Sequence, residues 1–173
     1  MLRDFIEIIG INTTEDFPIL GTLDRYTQFT VEEMLSLPDE KPDMEQITSV
    51  MIEAIVANFR TIATPTGLKV IINGELNQKI IYTAAESTQS VHTAHFLKPF
   101  CTFIEIPLTI QTGTNALDIL QSLGLSLDDV LSSDPKIVIE DLSVKLSDVR
   151  NVKKCGILFT WATVNALLAP FLV

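Results

Sequence analysis

The residues best suited to chemistry in this chain are two histidines and a cysteine, His92, His95 and Cys101, which lie close together in the sequence. Imidazole nitrogens bind metal ions, and a thiol beside an imidazole can act as a nucleophile. On a β-strand, however, residues three positions apart face opposite sides of the sheet. A metal site would need a turn and further ligands, which the sequence does not supply. We therefore expect no metal site and no cofactor, and expect the histidines to hydrogen-bond with the adjoining polar loop.

Cys101 lies in a strand-like segment flanked by phenylalanines, where a buried and unreactive thiol is the usual case. We therefore expect no catalytic residue and no enzyme activity. A hydrolase that pairs Cys101 with His92 or His95 is the alternative from a different class. The other cysteine is Cys155, and neither belongs to a CxxC pair, so zinc binding has no support. A Cys101–Cys155 disulfide and a bond between subunits both remain open.

The chain contains three acidic pairs whose carboxylates could bind calcium by residue type: Glu32–Glu33, Asp39–Glu40 and Asp128–Asp129. Their members are adjacent, whereas a calcium loop places its carboxylates at alternate positions and includes a glycine. We therefore interpret all three pairs as solvated, solubilising surface.

The chain has 173 residues and a net charge of −10, and 47% of its residues are hydrophobic. These values predict one globular domain with a substantial core. Residues 1–60 hold twelve acidic and four basic side chains, so the charge is concentrated in the first third. Such a chain lacks the basic surface that binds phosphate backbones, and we expect no nucleic-acid partner. Acidic residues interrupt the apolar N-terminus, which predicts that no signal peptide is present.

Extended segments recur along the chain and predict an all-β sandwich, with a jelly roll as one form of it. The clearest alternation lies in residues 69–83, where Gly74 indicates a bulge or a close backbone approach. Residues 44–63 are apolar on both faces and predict a long buried strand, with a helix over 44–57 as an open alternative. The strand that begins at Val91 is expected to break at Pro99 and to lie at a sheet edge or bulge. The remaining predicted strands are 25–37, 137–146, 155–161 and a short one within 1–24.

Residues 113–131 change to helical spacing and predict a small helical insertion near 114–131. Thr114 or Asn115 can cap its first helix, and Gly124 can end it. A second short turn is expected to begin at Ser126.

The last segment of the chain is almost wholly apolar and allows two interpretations. Lys153 and Lys154 precede about 17 apolar-rich residues, which is near the lower limit for a membrane span. Thr160, Thr163 and Pro170 argue against a span. We therefore expect a final core strand through Trp161, followed by an arm that folds back on its own domain or docks on a neighbour.

The segment from Lys69 to Pro107 resembles the SPOCS domain family of spore-forming Firmicutes. An earlier run, YTQFTVEEMLSLPDEKPDMEQI at residues 26–47, also resembles this family. Together with residues 137–161, the similarity covers roughly residues 25–161. The residues that carry the main resemblance are Gly74, Gln78, Lys79, Tyr82, Thr88 to His92, His95, Phe96, Pro99, Phe100, Phe103 and Ile104.

The resemblance implies a protein of spore-envelope assembly, made in the mother-cell cytoplasm and placed in the coat or exosporium. The chain departs from the family in its helical insertion, its apolar tail and its lack of a peptidoglycan-binding segment. We therefore expect a self-assembling structural subunit with the organisation 1–24 arm, 25–161 domain and 162–173 arm. The alternative is a monomeric or dimeric adaptor for another coat protein; membrane contact is not expected. The expected assembly residues are Leu2, Phe5, Ile6, Ile8, Ile9, Leu167, Leu168, Phe171 and Leu172.

Overall fold

The computed structural model describes residues 6–173, and these form two packed β-sheets with a small helical element. This confirms the all-β sandwich and the short strand expected within residues 1–24. The strands are β1 (Glu7–Ile9), β2 (Asp24–Ser36), β3 (Met44–Thr64), β4 (Gly67–Ala84), β5 (Val91–Pro107), β6 (Lys136–Leu146) and β7 (Asn151–Thr163). The helix α1 spans Ala116–Ser122, and short 3-10 helices span Thr14–Asp16, Leu127–Asp129 and Ala166–Phe171.

The two sheets have the strand orders β1-β3-β4-β5, called the long sheet, and β2-β7-β6, called the short sheet. Strand β1 runs parallel to β3, and the other neighbouring strands are antiparallel. A jelly roll has eight strands in two Greek keys. The described residues instead form seven strands, with β3, β4 and β5 as consecutive neighbours. The jelly-roll form of the prediction is therefore wrong.

Strand β4 supplies the centre of the core because its alternation is regular along its whole length. The expected inward residues are all fully buried: Val70, Ile72, Leu76, Ile80 and Tyr82. Strand β3 follows the strand prediction rather than the helical alternative, but it is not buried on both faces. Met51 and Ile55 lie on its outward face and are exposed.

The edge position of β5 explains why Pro99 does not break it. The strand is continuous from Val91 to Pro107 and has β4 on one side, with no strand on its other side in the part of the chain that is described. Proline lacks a backbone N–H, so it is tolerated where no ladder bond is required. The edge was predicted correctly, and the break was not.

The long sheet extends beyond the short sheet, and the helical insertion covers the excess. A second core cluster joins the ends of β4 and β5 to α1 and to the C-terminal segment through Leu68, Ile106, Ala116, Leu120 and Leu168, all of them buried. The insertion therefore acts as a lid on apolar strand surface that would otherwise face water.

Local capping fixes the insertion as the sequence predicted. Asn115 Oδ1 accepts a hydrogen bond from the Asp118 N–H at 3.0 Å, and the Asp118 carboxylate accepts one from the Asn115 N–H at 2.8 Å. Ser126 and Asp129 form a second reciprocal cap. Gly124 has φ of +69°, a left-handed conformation that glycine adopts without a steric cost.

Gly74 is required by a close approach, as its place in a strand indicated. A Cβ atom there would lie 2.2 Å from the Phe100 ring and 2.5 Å from the Ile55 carbonyl oxygen. Strand β3 also shifts its register opposite this point, between Val56 and Asn58. Glycine thus allows the bend of β3 and the seating of Phe100 at one position.

The substitution Gly74→Ala is expected to lower the free energy of unfolding by about 1–3 kcal/mol, because the phenylalanine and a backbone carbonyl must both move. The control is Gly156→Ala in β7, where the nearest side-chain atoms lie 3.7 Å from the added carbon. Urea unfolding of both variants measures the difference. Equal stability of the two variants would contradict the close-packing explanation.

Candidate functional site

The two histidines lie on opposite faces of β5, as their spacing predicted. His92 stacks on Tyr82, with ring centroids 5.9 Å apart, and its Nε2 lies 3.0 Å from the hydroxyl of Ser90 in the preceding loop. The expected hydrogen bond to the polar loop is therefore confirmed for His92. His95 lies on the outward face, paired in register with Lys79, and is exposed.

Cys101 does not meet either histidine. It shares the outward face with His95 but lies six residues further along β5, which corresponds to about 20 Å. His92 is further away and faces the other side. This arrangement excludes the Cys–His pair required by the hydrolase alternative. The expectation of a buried thiol was wrong, since Cys101 is exposed.

The structure does not bring the two cysteines together. Both are free; Cys101 is on the long sheet, and Cys155 lies on the outward side of β7 in the short sheet, between the buried Lys154 and Gly156. Their side chains therefore leave the sandwich from opposite faces. A disulfide within this chain would need a large backbone movement, because its two Cα atoms must lie within about 7 Å.

A cluster of three polar side chains lies inside the sandwich, between the two sheets. The Nζ atom of Lys154 donates to Glu33 Oε2 at 2.5 Å, and the Nε2 atom of Gln78 donates to the same oxygen at 3.3 Å. The Lys154 side chain is 0% exposed and that of Glu33 is 14% exposed. These residues come from β7, β2 and β4, so the cluster joins the two sheets across the core.

The donors and acceptors of this cluster are not fully paired within the described residues. Burial lowers the pKa of Lys154 below its ordinary value, although the hydrogen bond and the charge of Glu33 act in the opposite direction. An ammonium group has three donors, and Glu33 is the one acceptor found for Lys154 in the described residues. The Gln78 Oε1 atom is buried and has no hydrogen-bond partner within residues 6–173. A buried polar atom without a hydrogen-bond partner lowers the stability of a core, so its presence there needs an explanation.

The sequence contained a signal for this cluster. Gln78 lies in the inward phase of β4, between Leu76 and Ile80, where a polar residue interrupts an apolar face. The interpretation of Glu33 as solvated surface was wrong, because the inward phase of β2 places it opposite Lys154 in the register. Glu32 follows the prediction and is exposed. Adjacent residues of a strand face opposite sides, so a pair of neighbouring acids cannot share one environment there.

The N-terminal assembly residues lie partly outside the described residues, since Leu2 and Phe5 precede residue 6. Ile6 and Ile8 are half-buried against the first core cluster, beside β3. Ile9 is exposed and pairs in register with Met51. A hollow of about 230 Å³ lies beside them, lined in part by Ile9, Met51, Lys79 and His95.

The C-terminal assembly residues fold back on their own domain. Leu168 is 0% exposed in the second core cluster, and Phe171 and Leu172 are partly buried against the same cluster. Leu167 points outward and is 53% exposed. A β-bridge between Leu108 and Leu172 fixes the end of the arm beside β5. The division into arm, domain and arm stays a prediction.

The described residues hold neither a metal cluster nor a membrane-spanning helix. No group of three or more histidine, cysteine, aspartate or glutamate side chains is placed to hold a metal ion in the portion of the chain described. No helix between residues 6 and 173 is long and apolar enough to cross a membrane.

Comparison with known families confirms the resemblance over part of the chain. The family model described as SipL, SPOCS domain matches residues 43–117, which hold β3, β4, β5 and the start of α1. The resemblance proposed for the flanking parts of residues 25–161 stays a prediction. No curated protein and no solved structure matches the chain.

The placement of the C-terminal arm predicts that Leu168→Ala lowers the free energy of unfolding by about 2–5 kcal/mol, because it leaves a cavity in the second core cluster. Leu167→Ala is the control, since the same truncation at an exposed neighbour should change stability by less than about 0.5 kcal/mol. Thermal and urea unfolding measure both variants. A loss of stability at Leu167 equal to that at Leu168 would contradict the observed packing.

Proposed function

From the match of residues 43–117 to the SPOCS domain family, which relates the chain to sporulation, we propose that it is a non-enzymatic structural protein of the bacterial endospore surface. It is made in the mother-cell cytoplasm and self-assembles in the coat, the exosporium or an appendage. Contacts between subunits are made by its terminal arms. The observation that carries the proposal is an apolar N-terminal arm that lies as a short strand at the edge of the long sheet.

The exposed apolar residues of the long sheet support a protein partner. Met51, Ile55 and Leu97 lie on its outward face, and Leu97 is 60% exposed. The short sheet and the insertion cover the opposite face. Apolar side chains grouped on one face of a sheet are typical of a surface that contacts another protein.

The N-terminal arm is the better candidate for exchange between subunits. Its strand β1 has three residues, whereas the other strands have between 11 and 21. The apolar side chains of residues 6–11 are half-buried or exposed, so releasing this part of the arm exposes little new surface. The C-terminal arm carries the fully buried Leu168, and its release would open the second core cluster. We therefore assign the exchanging contact to residues 1–11 and a contact through the exposed Leu167 and Val173 to the other arm.

Strand addition is the mechanism that follows. In one subunit β1 lies beside Ser49, Val50 and Met51 of its own β3, in parallel register. The same segment of a second copy can occupy this register, because the hydrogen-bonding groups and the apolar neighbours are identical. A head-to-tail exchange of this kind closes a ring or propagates a fibre, depending on the rotation between copies.

Deletion of residues 1–11 and, separately, the substitution Ile9→Asp are expected to reduce assembly to discrete small particles. The deletion removes the exchanged strand, and the aspartate places a charge at its apolar contact with Met51. Negative-stain electron microscopy and size-exclusion chromatography of the purified full-length protein and both variants measure the change.

The control is Met34→Asp, which adds the same charge at an exposed apolar residue on the outward side of β2, in the sheet that does not contain β1. It should assemble like the parent chain. A parent chain that stays monomeric or dimeric would contradict self-assembly and favour the adaptor function. Normal assembly of the deletion variant would contradict the role of the N-terminal arm.

A further inference from the structure

Three side chains that meet inside the sandwich carry the components of an amide-forming reaction. Lys154 supplies an amine, Gln78 supplies a carboxamide, and Glu33 supplies a carboxylate that contacts both. We propose that Lys154 and Gln78 join in an isopeptide bond between Nζ and Cδ, with Glu33 transferring protons. The proposal does not depend on the function proposed above, because it concerns a single reaction of the chain with itself.

The geometry places both reacting side chains around one carboxylate oxygen. The Lys154 Nζ and the Gln78 Nε2 share one hydrogen-bond acceptor, Glu33 Oε2, at 2.5 and 3.3 Å. The two nitrogens are thus no further apart than these two lengths together. Residues Glu33 and Lys154 are also direct cross-strand neighbours in the short sheet, which holds the amine and the carboxylate in a fixed relation. Because the groups are already held together, the reaction does not carry the entropy cost of an encounter in solution.

The surroundings of the cluster make loss of a proton from the amine easier than in water, and the neutral amine is the nucleophilic form. Gln78 lies between the buried Leu76 and Ile80 along β4, and Glu33 lies between Val31 and Leu35 along β2. Burial in these apolar surroundings lowers the pKa of Lys154 and outweighs the hydrogen bond and charge of Glu33, which act in the opposite direction. A desolvated lysine reacts with carbonyl carbon more readily than a hydrated ammonium group does.

The reaction balances without an added reagent. One proton passes from the Lys154 ammonium to Glu33, and the freed lone pair of Nζ attacks Cδ of Gln78, while the carbonyl electron pair moves to Oε1. A half-turn of the carboxamide lets the protonated Glu33 donate to Oε1 and polarise this carbonyl. Nζ of the intermediate then gives up a second proton, Nε2 on the same carbon takes it up, the Cδ–Nε2 bond breaks and ammonia leaves, so Glu33 ends the reaction protonated. No atom is oxidised or reduced.

The product also resolves the incomplete polar cluster. Before the reaction the core holds a charged amine with one acceptor among the described residues, and a carboxamide oxygen without a donor. Afterwards it holds a neutral secondary amide, and the neutral Glu33 can donate to the amide oxygen. Removing a buried charge and an unpaired polar atom favours the product. The bond would join β4 and β7, each of which has a neighbouring strand on both sides.

Mass spectrometry of the intact, denatured and reduced full-length protein tests the proposal. The expected mass is below that of the sequence by one molecule of ammonia. Proteolysis should release one branched species that joins the peptide containing Gln78 to the peptide containing Lys154. A parent chain with the full sequence mass and two separate peptides would overturn the proposal.

Matched variants identify the reacting residues. Lys154→Met and Glu33→Gln should each restore the full mass, because one removes the nucleophile and the other the proton carrier. Lys153→Met should retain the loss of ammonia, because this neighbouring lysine is exposed on the other side of the strand. Succinimide formation at Asn73–Gly74 would also release ammonia, but that loss would persist in Lys154→Met. Persistence of the loss in that variant would therefore overturn the proposal, and its mass is measurable whether or not the variant folds.

Discussion

The difference in length between the two sheets is the constraint on which the rest of the structure depends. Strand β4 has 18 residues and spans about 60 Å, whereas β7 in the facing sheet has 13 and spans about 43 Å. The inner face of β4 is buried over its whole length and is apolar apart from Gln78. The end of the long sheet near Leu68 and Val70 therefore needs another cover. Helix α1 and the C-terminal segment supply it, so a helical insertion and an apolar tail serve one purpose.

The polar cluster occupies the part of the core where the two sheets do face each other. A buried ion pair is weak support for stability by itself, because desolvation of both charges offsets most of their attraction. The ion pair instead favours one alignment of the two sheets, because Glu33 and Lys154 meet Gln78 in one relative position. A slip by one residue would turn these side chains outward and place exposed neighbours such as Glu32 and Lys153 in the core. The cluster thus selects one register among several apolar alternatives.

Prediction from sequence succeeded where one face of a strand is buried and the chain alternates cleanly. The inward residues of β4 and the close approach at Gly74 belong to this class, and the caps of the insertion were predicted separately from local residue types. It failed where burial depends on which element lies opposite. The two faces of β3 are both apolar, and the sequence cannot indicate that one of them lacks a covering layer. The prediction that Glu33 is solvated failed for a related reason, because its partner Lys154 is 121 residues away in the sequence.

The antiparallel order of β3, β4 and β5 has a consequence for how this chain can change in evolution. These three strands form one layer, and they hold most of the segment that is similar to a known family. A single layer with a continuous apolar face cannot exist alone in water, since Leu76, Ile80 and Tyr82 would lie uncovered. The segment that matches the family model is therefore half of a folding unit. The other half, β2 with the β6–β7 hairpin, can diverge in sequence as long as it presents an apolar surface of matching shape and keeps Glu33 and Lys154 beside Gln78.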